Sequence, residues 1–299
     1  MAWKIQINPI SCLFKDKTGN NSRKSKPIES IEVETIFILS AGRTGTRFFQ
    51  DFFNTCFSQV YAVHEPQPDF FDMGMQKIRT DLIFDVSCQN ICEFRKPLLK
   101  QVLSTPETTY IESNPHAAYL IPELMATFSS IKFLYVVRNP IDSVRSFYAK
   151  SPKDSGGEML FYGENDHRKR ICPKDFPGDG WEKEWPDFNR VHKIAWYWNK
   201  VNSIIQESLQ NSENSLQIKY EDFFSKNQSI REKTILQVIE FLKLTEKRDA
   251  DWNKINHIMN QKSNATKVEY LPPFEQWPIR EKEMFKALTK EMRIKLNYK

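Results

Sequence analysis

The sequence predicts an α/β protein in three layers, a central parallel sheet flanked by helices. Short β-branched and apolar runs alternate along the chain with segments whose apolar residues recur at helical spacing. The clearest run, 131–137 (IKFLYVV), is apolar but for one lysine, as a strand buried on both faces requires. With 299 residues, 40% of them hydrophobic and 22 of them Phe, the chain can cover both faces of such a sheet. The same composition excludes a disordered or collagen-like chain.

Residues 15–30 (KDKTGNNSRKSKPIES) are polar and basic, so 1–34 is expected to form an exposed arm. The first strand is expected at 35–40 (TIFILS), followed by a turn of small residues. Phe48, Phe49, Phe52, Phe53 and Phe57 then fall on one face of a helix over 46–57. A strand follows at 59–63 and another at 108–111, and Pro115 opens a helix over 115–128. After the strand at 131–137, Asn139 and Pro140 start a helix over 140–150. A long amphipathic helix over 187–210 carries Val191, Ile194, Ala195, Trp198, Val201, Ile204 and Ile205 on one side. A strand at 216–219 and helices over 230–244 and 278–296 complete the pattern. Strands alternating with helices imply right-handed βαβ crossovers. No internal repeat or low-complexity tract divides the chain, so 1–299 is read as one domain.

The alternation fails between Ser151 and Pro186, where Gly156, Gly157, Gly163, Gly178 and Gly180 make up five of the nine glycines. An insertion of that length over 151–186 is expected to be a binding loop or lid. Within it, Trp181 and Trp185 are candidate acceptor-binding residues, since aromatic faces suit sugar rings and acyl chains. Trp196 and Trp198 belong to the helix and are expected in the core. The run His167-Arg168-Lys169-Arg170 reads equally as an anion site or a solvated charge run.

Lys and Arg exceed Asp and Glu by 43 to 38, a net charge of +5 that is too small and dispersed for a nucleic-acid partner. The N-terminal residues lack the apolar core of a signal peptide, and no run approaches the ~18 apolar residues of a transmembrane helix. An odd number of cysteines, five, fits reduced thiols and a cytoplasmic location. Cys88 and Cys92 have no second Cys or His pair at zinc spacing, so no metal is expected. Oligomeric state leaves no sequence signal.

Two segments carry the chemistry. In 40–47 (SAGRTGTR), Gly42 and Gly45 sit between a strand and a helix, where backbone N–H groups and the helix dipole make an anion site. Glycine permits positive φ and close approach of the backbone. Arg43 and Arg47 add charge, and Thr44 and Thr46 add hydroxyl donors. The segment departs from the Walker A pattern, because Gly45 is not followed by Lys and Ser or Thr. On this loop alone, an ordinary turn with two solvated arginines competes. The second segment, 134–150 (LYVVRNPIDSVRSFYAK), places Arg138 at a strand end and Ser146 about two turns into the next helix. Together they suit a second phosphate.

These residues resemble the PAPS-dependent sulfotransferases (PAPS is 3′-phosphoadenosine-5′-phosphosulfate), closest in style to the carbohydrate, tyrosylprotein and bacterial enzymes. GRTGTRFF resembles their 5′-phosphosulfate loop, and VVRNPIDSVRSFY their 3′-phosphate motif. KYEDFF at 219–224, NATKVEYLPPFEQWP at 264–278 and EMRIKLNY at 291–298 resemble later blocks in family order. The resemblance implies a P-loop-like fold and in-line, metal-free sulfuryl transfer from PAPS to a hydroxyl or amine. The acceptor would be a small molecule, a carbohydrate or a lipid. It assigns Arg43, Thr44, Gly45, Thr46 and Arg47 to the 5′-phosphosulfate, Arg138 and Ser146 to the 3′-phosphate, and Lys267 to the cofactor from the tail. Arg43 would also stabilise charge on the bridging oxygen.

In such enzymes a Glu just after the second strand is the base. Glu65, in His64-Glu65-Pro66, occupies that place, with His64 as rival base or acceptor ligand. Some relatives carry a Lys near the end of the third strand. Here the region reads Glu112-Ser113-Asn114-Pro115-His116, where Asn114 either contacts the transferring group or caps the next helix. Two other functions remain open at this stage. A nucleotide-dependent phosphotransferase would use the same loop, against which stand the missing Walker lysine and the Arg138/Ser146 pair. A non-catalytic nucleotide-binding module would bind cofactor without turnover.

Overall fold

A computed structural model describes residues 33–80, 82–104, 108–149, 161–164, 166, 168–244, 251–261 and 271–298. Residues 1–32 of the expected arm, and 151–160, 165 and 167 of the 151–186 insertion, lie outside the described residues. Five strands, β1 (Glu34–Leu39), β2 (Val60–His64), β3 (Thr109–Ser113), β4 (Ile131–Val137) and β5 (Ser215–Lys219), form one sheet in the order β2-β3-β1-β4-β5. All four pairings are parallel. β1 is central and its last five residues are buried, because both sheet faces are covered.

Alternation along the strands separates two cores. Ile36 and Ile38 of β1, with Leu134 and Val136 of β4, face the layer holding α1 (Thr46–Cys56) and its buried phenylalanines. Phe37 and Leu39, with Phe133 and Tyr135, face the opposite layer. That layer holds α2 (Phe71–Arg79), α3 (Phe84–Leu103), α4 (Ile121–Thr127), α5 (Pro140–Tyr148) and α6 (Arg190–Ser208). The short α7 (Tyr220–Phe223), α8 (Gln228–Leu242) and α9 (Trp252–Asn260) return to the α1 side, and α10 (Ile279–Lys295) packs beside α6.

Three differences from the sequence reading have physical causes. The helix expected over 115–128 is a 3₁₀ turn, Pro115–Tyr119, followed by α4. Pro122 has no N–H to give back to the preceding turn, which favours a break there, with the proline in the first turn of α4. The helices α2 and α3 went unread. Pro97 lies inside α3, and Ile83, Phe84, Val86 and Leu103 are exposed, which blurs its apolar stripe. The helix α9 was not delimited either; its nine residues are too few for the apolar set Trp252, Ile255, Ile258 and Met259 to repeat. Trp196 and Trp198 are both core residues, 2% and 1% exposed.

Candidate active site

Parallel pairing brings the loops after every strand to one edge of the sheet. In sheet order these loops carry Glu65, Asn114, Arg43, Arg138 and Tyr220. β1 and β4 are neighbours whose following connections leave in opposite directions, the switch point at which open α/β sheets hold ligands. Arg43 and Arg138 therefore meet, although 95 positions separate them.

Their contact is specific. Arg138 Nη1 donates to the Arg43 carbonyl at 2.6 Å, and Arg43 Nε donates to the Ser146 hydroxyl at 3.1 Å. Arg138 lies 4.4 Å above the Tyr220 ring, a cation–π contact. Burial, and then the Arg138 cation, push the Arg43 guanidinium below its ordinary pKa. At neutral pH it still carries its charge, because arginine starts so high. Two like charges packed this closely favour an anion between them.

The surrounding groups fit such an anion. Gly42, Arg43 and Gly45 all have positive φ (91°, 58° and 76°), which turns the backbone sharply over the sheet edge. A Cβ at Gly45 would stand 3.3 Å from the Phe224 ring, so the position has neither torsional nor steric room for a side chain. Gly45 caps α1 without a side-chain hydrogen bond, and the first turn of α1 holds no acidic residue. The start of α5 is the opposite case: Asn139 accepts from the Ile141 and Asp142 amides, and Asp142 adds a charge. Only the α1 end is thus left open to an anion. Thr44 Oγ1, Ser143 Oγ and Arg138 Nε are buried with no hydrogen-bond partner among the described residues. Such orphaned donors demand a partner. Phosphate or sulfate oxygens would satisfy them, so the residues fit the group the resemblance implies.

Of the other residues expected here, Thr46 begins α1 half-buried and Arg47 is exposed. Lys267 lies outside the described residues. Glu65 follows β2 directly. Its N–H donates to the Ser113 carbonyl at 3.2 Å, and its φ of 44° is left-handed. His64 Nδ1 lies 3.0 Å from the same carbonyl, so Nδ1 carries the proton and donates. Nε2 then faces Glu65 Oε1 at 3.8 Å. Asn114 is fully buried and committed at both ends of its amide: Oδ1 accepts from the His116 N–H at 3.0 Å, and Nδ2 donates to Glu112 at 2.9 Å. It caps the 3₁₀ turn that follows.

The described part of the insertion is a fixed wall. Arg79 of α2 donates from Nε and Nη2 to both Asp175 oxygens at 3.0 Å. Arg190 Nε donates to the Phe161 carbonyl at 2.8 Å. Phe161 and Tyr162 pack edge-on against Tyr197 of α6. Burial raises the pKa of the Tyr197 hydroxyl, and the nearby Glu65 carboxylate adds to the rise. Trp185 packs 5.7 Å from Tyr162, and Trp181 packs on Phe188. Both tryptophans are thereby built into the aromatic cluster on α6. Arg170 turns inward to Asp166 and Phe161, whereas Arg168 stands over Phe71; His167 lies outside the described residues.

Reading the sequence alone missed four residues. Tyr220 underlies Arg138. Glu221 accepts from the Asn139 N–H at 2.7 Å and the Tyr298 hydroxyl at 2.9 Å, locking the start of α5 to the chain's end. Both stand in the KYEDFF block, which was itself legible. Ser143 lies one turn before Ser146 and offered the same signal. Arg95, on a helix that went unread, offered none.

Among the described residues no helix is long and apolar enough to cross a membrane, and no three His, Cys, Asp or Glu side chains group to hold a metal ion. Three solved sulfotransferases are similar to this chain at low identity. The sulfotransferase domain of a Synechococcus olefin synthase is 12% identical with TM-score 0.49, over 93% of this chain and 99% of that one. A sulfotransferase from Alicyclobacillus acidocaldarius is 12% identical with TM-score 0.48, over 88% and 96%. A mouse sulfotransferase complexed with PAP is 16% identical with TM-score 0.47, over 87% and 85%. A search of the curated proteins finds no match. The sulfotransferase domain family model matches residues 34–297, from the first strand to the end of the last helix, and the chain belongs to that family.

Proposed function

We propose that this sulfotransferase takes its sulfuryl group from PAPS and passes it to a hydroxyl or amine, with Glu65 as the base. The observation that carries the reading is the interlock of Arg138, Arg43 and Ser146, with unpartnered buried hydroxyls on Thr44 and Ser143 of the same loop and helix. Bound PAPS supplies a sulfuryl group on a good leaving group, adenosine 3′,5′-bisphosphate. Arg138 and Ser146 hold the 3′-phosphate, the feature absent from ADP and ATP. The amides at the start of α1, with Thr44 and Thr46, hold the 5′ end, and Arg47 adds charge at its rim.

The Glu65 carboxylate takes the acceptor proton as the new oxygen–sulfur or nitrogen–sulfur bond forms. Arg43 neutralises charge on the departing bridging oxygen, the point where a preorganised cation accelerates most. His64, its Nδ1 proton given to the Ser113 carbonyl, stands with Nε2 3.8 Å from the Glu65 carboxylate and is the rival base or acceptor ligand. A small-molecule, carbohydrate or lipid acceptor would lie against the wall that includes Trp181 and Trp185. Reduced thiols at Cys56, Cys88, Cys92 and Cys172 support a cytoplasmic setting. Calorimetry with adenosine 3′,5′-bisphosphate and ADP tests the donor assignment: the bisphosphate should bind far more tightly. Equal or absent binding of both would overturn it.

A further inference from the structure

Beside the phosphate loops the molecule buries a second set of charges. Glu112 lies in β3 and Arg95 on α3, and neither side chain has any exposed surface. The carboxylate accepts four hydrogen bonds. Oε2 takes Arg95 Nε at 2.6 Å and the Tyr110 hydroxyl at 2.7 Å; Oε1 takes Arg95 Nη2 at 2.7 Å and Asn114 Nδ2 at 2.9 Å. That fills the acceptor sites of a carboxylate, so Glu112 has no oxygen left for an acceptor proton. Nor does core stability account for the pair, since desolvating two charges offsets their attraction.

What the pair connects does account for it. Arg95 Nη1 donates to the Pro68 carbonyl at 2.9 Å, three residues beyond Glu65. The guanidinium lies 3.9 Å over the Phe70 ring, which fixes its plane. At the other end, Asn114 caps His116, whose Nδ1 lies 3.1 Å from Asp69. The path closes: Pro68, Asp69, His116, Asn114, Glu112, Arg95 and back to Pro68. This ring lashes the loop after β2 to the loop after β3. Glu65, with its left-handed φ of 44°, needs such restraint, because a strained residue persists only where its surroundings fix it.

We propose that Arg95 is a positioning residue for sulfuryl transfer: through the Pro68 carbonyl and the Glu112 carboxylate it fixes the turn that aims Glu65. The proposal rests on the reading of Glu65 as base. Two variants test it. R95K keeps a cation opposite Glu112, but a single ammonium cannot span both carboxylate oxygens and the Pro68 carbonyl. R95M/E112L replaces the pair by apolar side chains, a change that many buried ion pairs tolerate.

Amide hydrogen exchange is followed on the full chain with adenosine 3′,5′-bisphosphate. The Glu65 and His116 amides should exchange at least ~10-fold faster in both variants, with the Phe49 amide of α1 unchanged. Release of labelled sulfate from PAPS to water should fall about 100-fold in rate at unchanged KM. In an E65Q background R95K should add no further loss, because both act through one group. Wild-type protection at Glu65 and His116, equal loosening at Phe49, or full additivity with E65Q would overturn the proposal. If E65Q alone releases sulfate at the wild-type rate, the reading of Glu65 fails, and the exchange result still shows separately whether Arg95 fixes the turn.

Discussion

Arg43 donates from Nε to the Ser146 hydroxyl at 3.1 Å, across 103 positions of chain. This bond joins the first βα loop to the helix after β4, so the groups proposed for the two ends of the donor are one unit. Substituting S146A removes one hydrogen bond to a phosphate. A bond to a charged group contributes about 1.5–3 kcal/mol, so affinity for adenosine 3′,5′-bisphosphate should fall roughly 10- to 100-fold. Affinity for ADP should fall less, through the lost support of Arg43 alone. Calorimetry with both nucleotides checks this, and an equal loss for both would separate Ser146 from the 3′-phosphate.

Tyr220 makes a different prediction, because its contact with Arg138 is through the ring face at 4.4 Å. Y220F keeps the face and should bind the bisphosphate like the wild type. Y220L removes it, and a desolvated cation–π contact of about 1–2 kcal/mol should cost roughly 5- to 30-fold in affinity. Indistinguishable affinities for the two variants would show that Arg138 is held by the Arg43 carbonyl alone.

Glu65 and His64 are separated by rate rather than affinity. E65Q keeps the shape of the side chain and cannot take a proton at neutral pH. Transfer should drop by about 10²–10⁴-fold, while bisphosphate affinity stays within about threefold. H64N keeps a donor for the Ser113 carbonyl, 3.0 Å from Nδ1, and should lose far less. If H64N falls as far as E65Q, the imidazole and not the carboxylate takes the proton.

These residues show how much the sequence disclosed. Arg43, Gly45, Arg138 and Ser146 were legible because a strand, a glycine turn and a helix start are local signals. Their mutual placement follows from sheet order, which sets β4 beside β1. Glu65 was legible by position after β2. Arg95 was not, because its meaning lies in Glu112 and Pro68, on other elements that only the fold brings near. The buried state of Asn114 was illegible for the same reason, since its two partners serve opposite ends of one amide. Tyr220 sat in a legible block, but a ring beneath a guanidinium has no spacing rule.

Asp175 and Arg79 give a prediction in pH. Arg79 grips both Asp175 oxygens at 3.0 Å, and the carboxylate side chain is 6% exposed. Burial alone would raise its pKa, but the Arg79 hydrogen bond, the Cys172 N–H and the Arg79 charge together hold it below the ordinary aspartate value. A depressed folded-state pKa means that the unfolded chain binds the proton more readily, so the contribution to stability rises with pH. It is complete above the unfolded value, about 3.9, and is lost as pH falls through the folded value. The wall around Asp175 should therefore hold from neutral pH down to about pH 4 and loosen below it. D175N cannot carry the charge and should melt lower than the wild type at pH 7. The two melting curves should converge as the pH is taken down through the folded value. Limited proteolysis within 161–188 should follow the same course, with D175N cut faster at pH 7. A constant gap in melting temperature from pH 7 to pH 2.5 would show that Arg79 and Asp175 do not fasten the wall through charge.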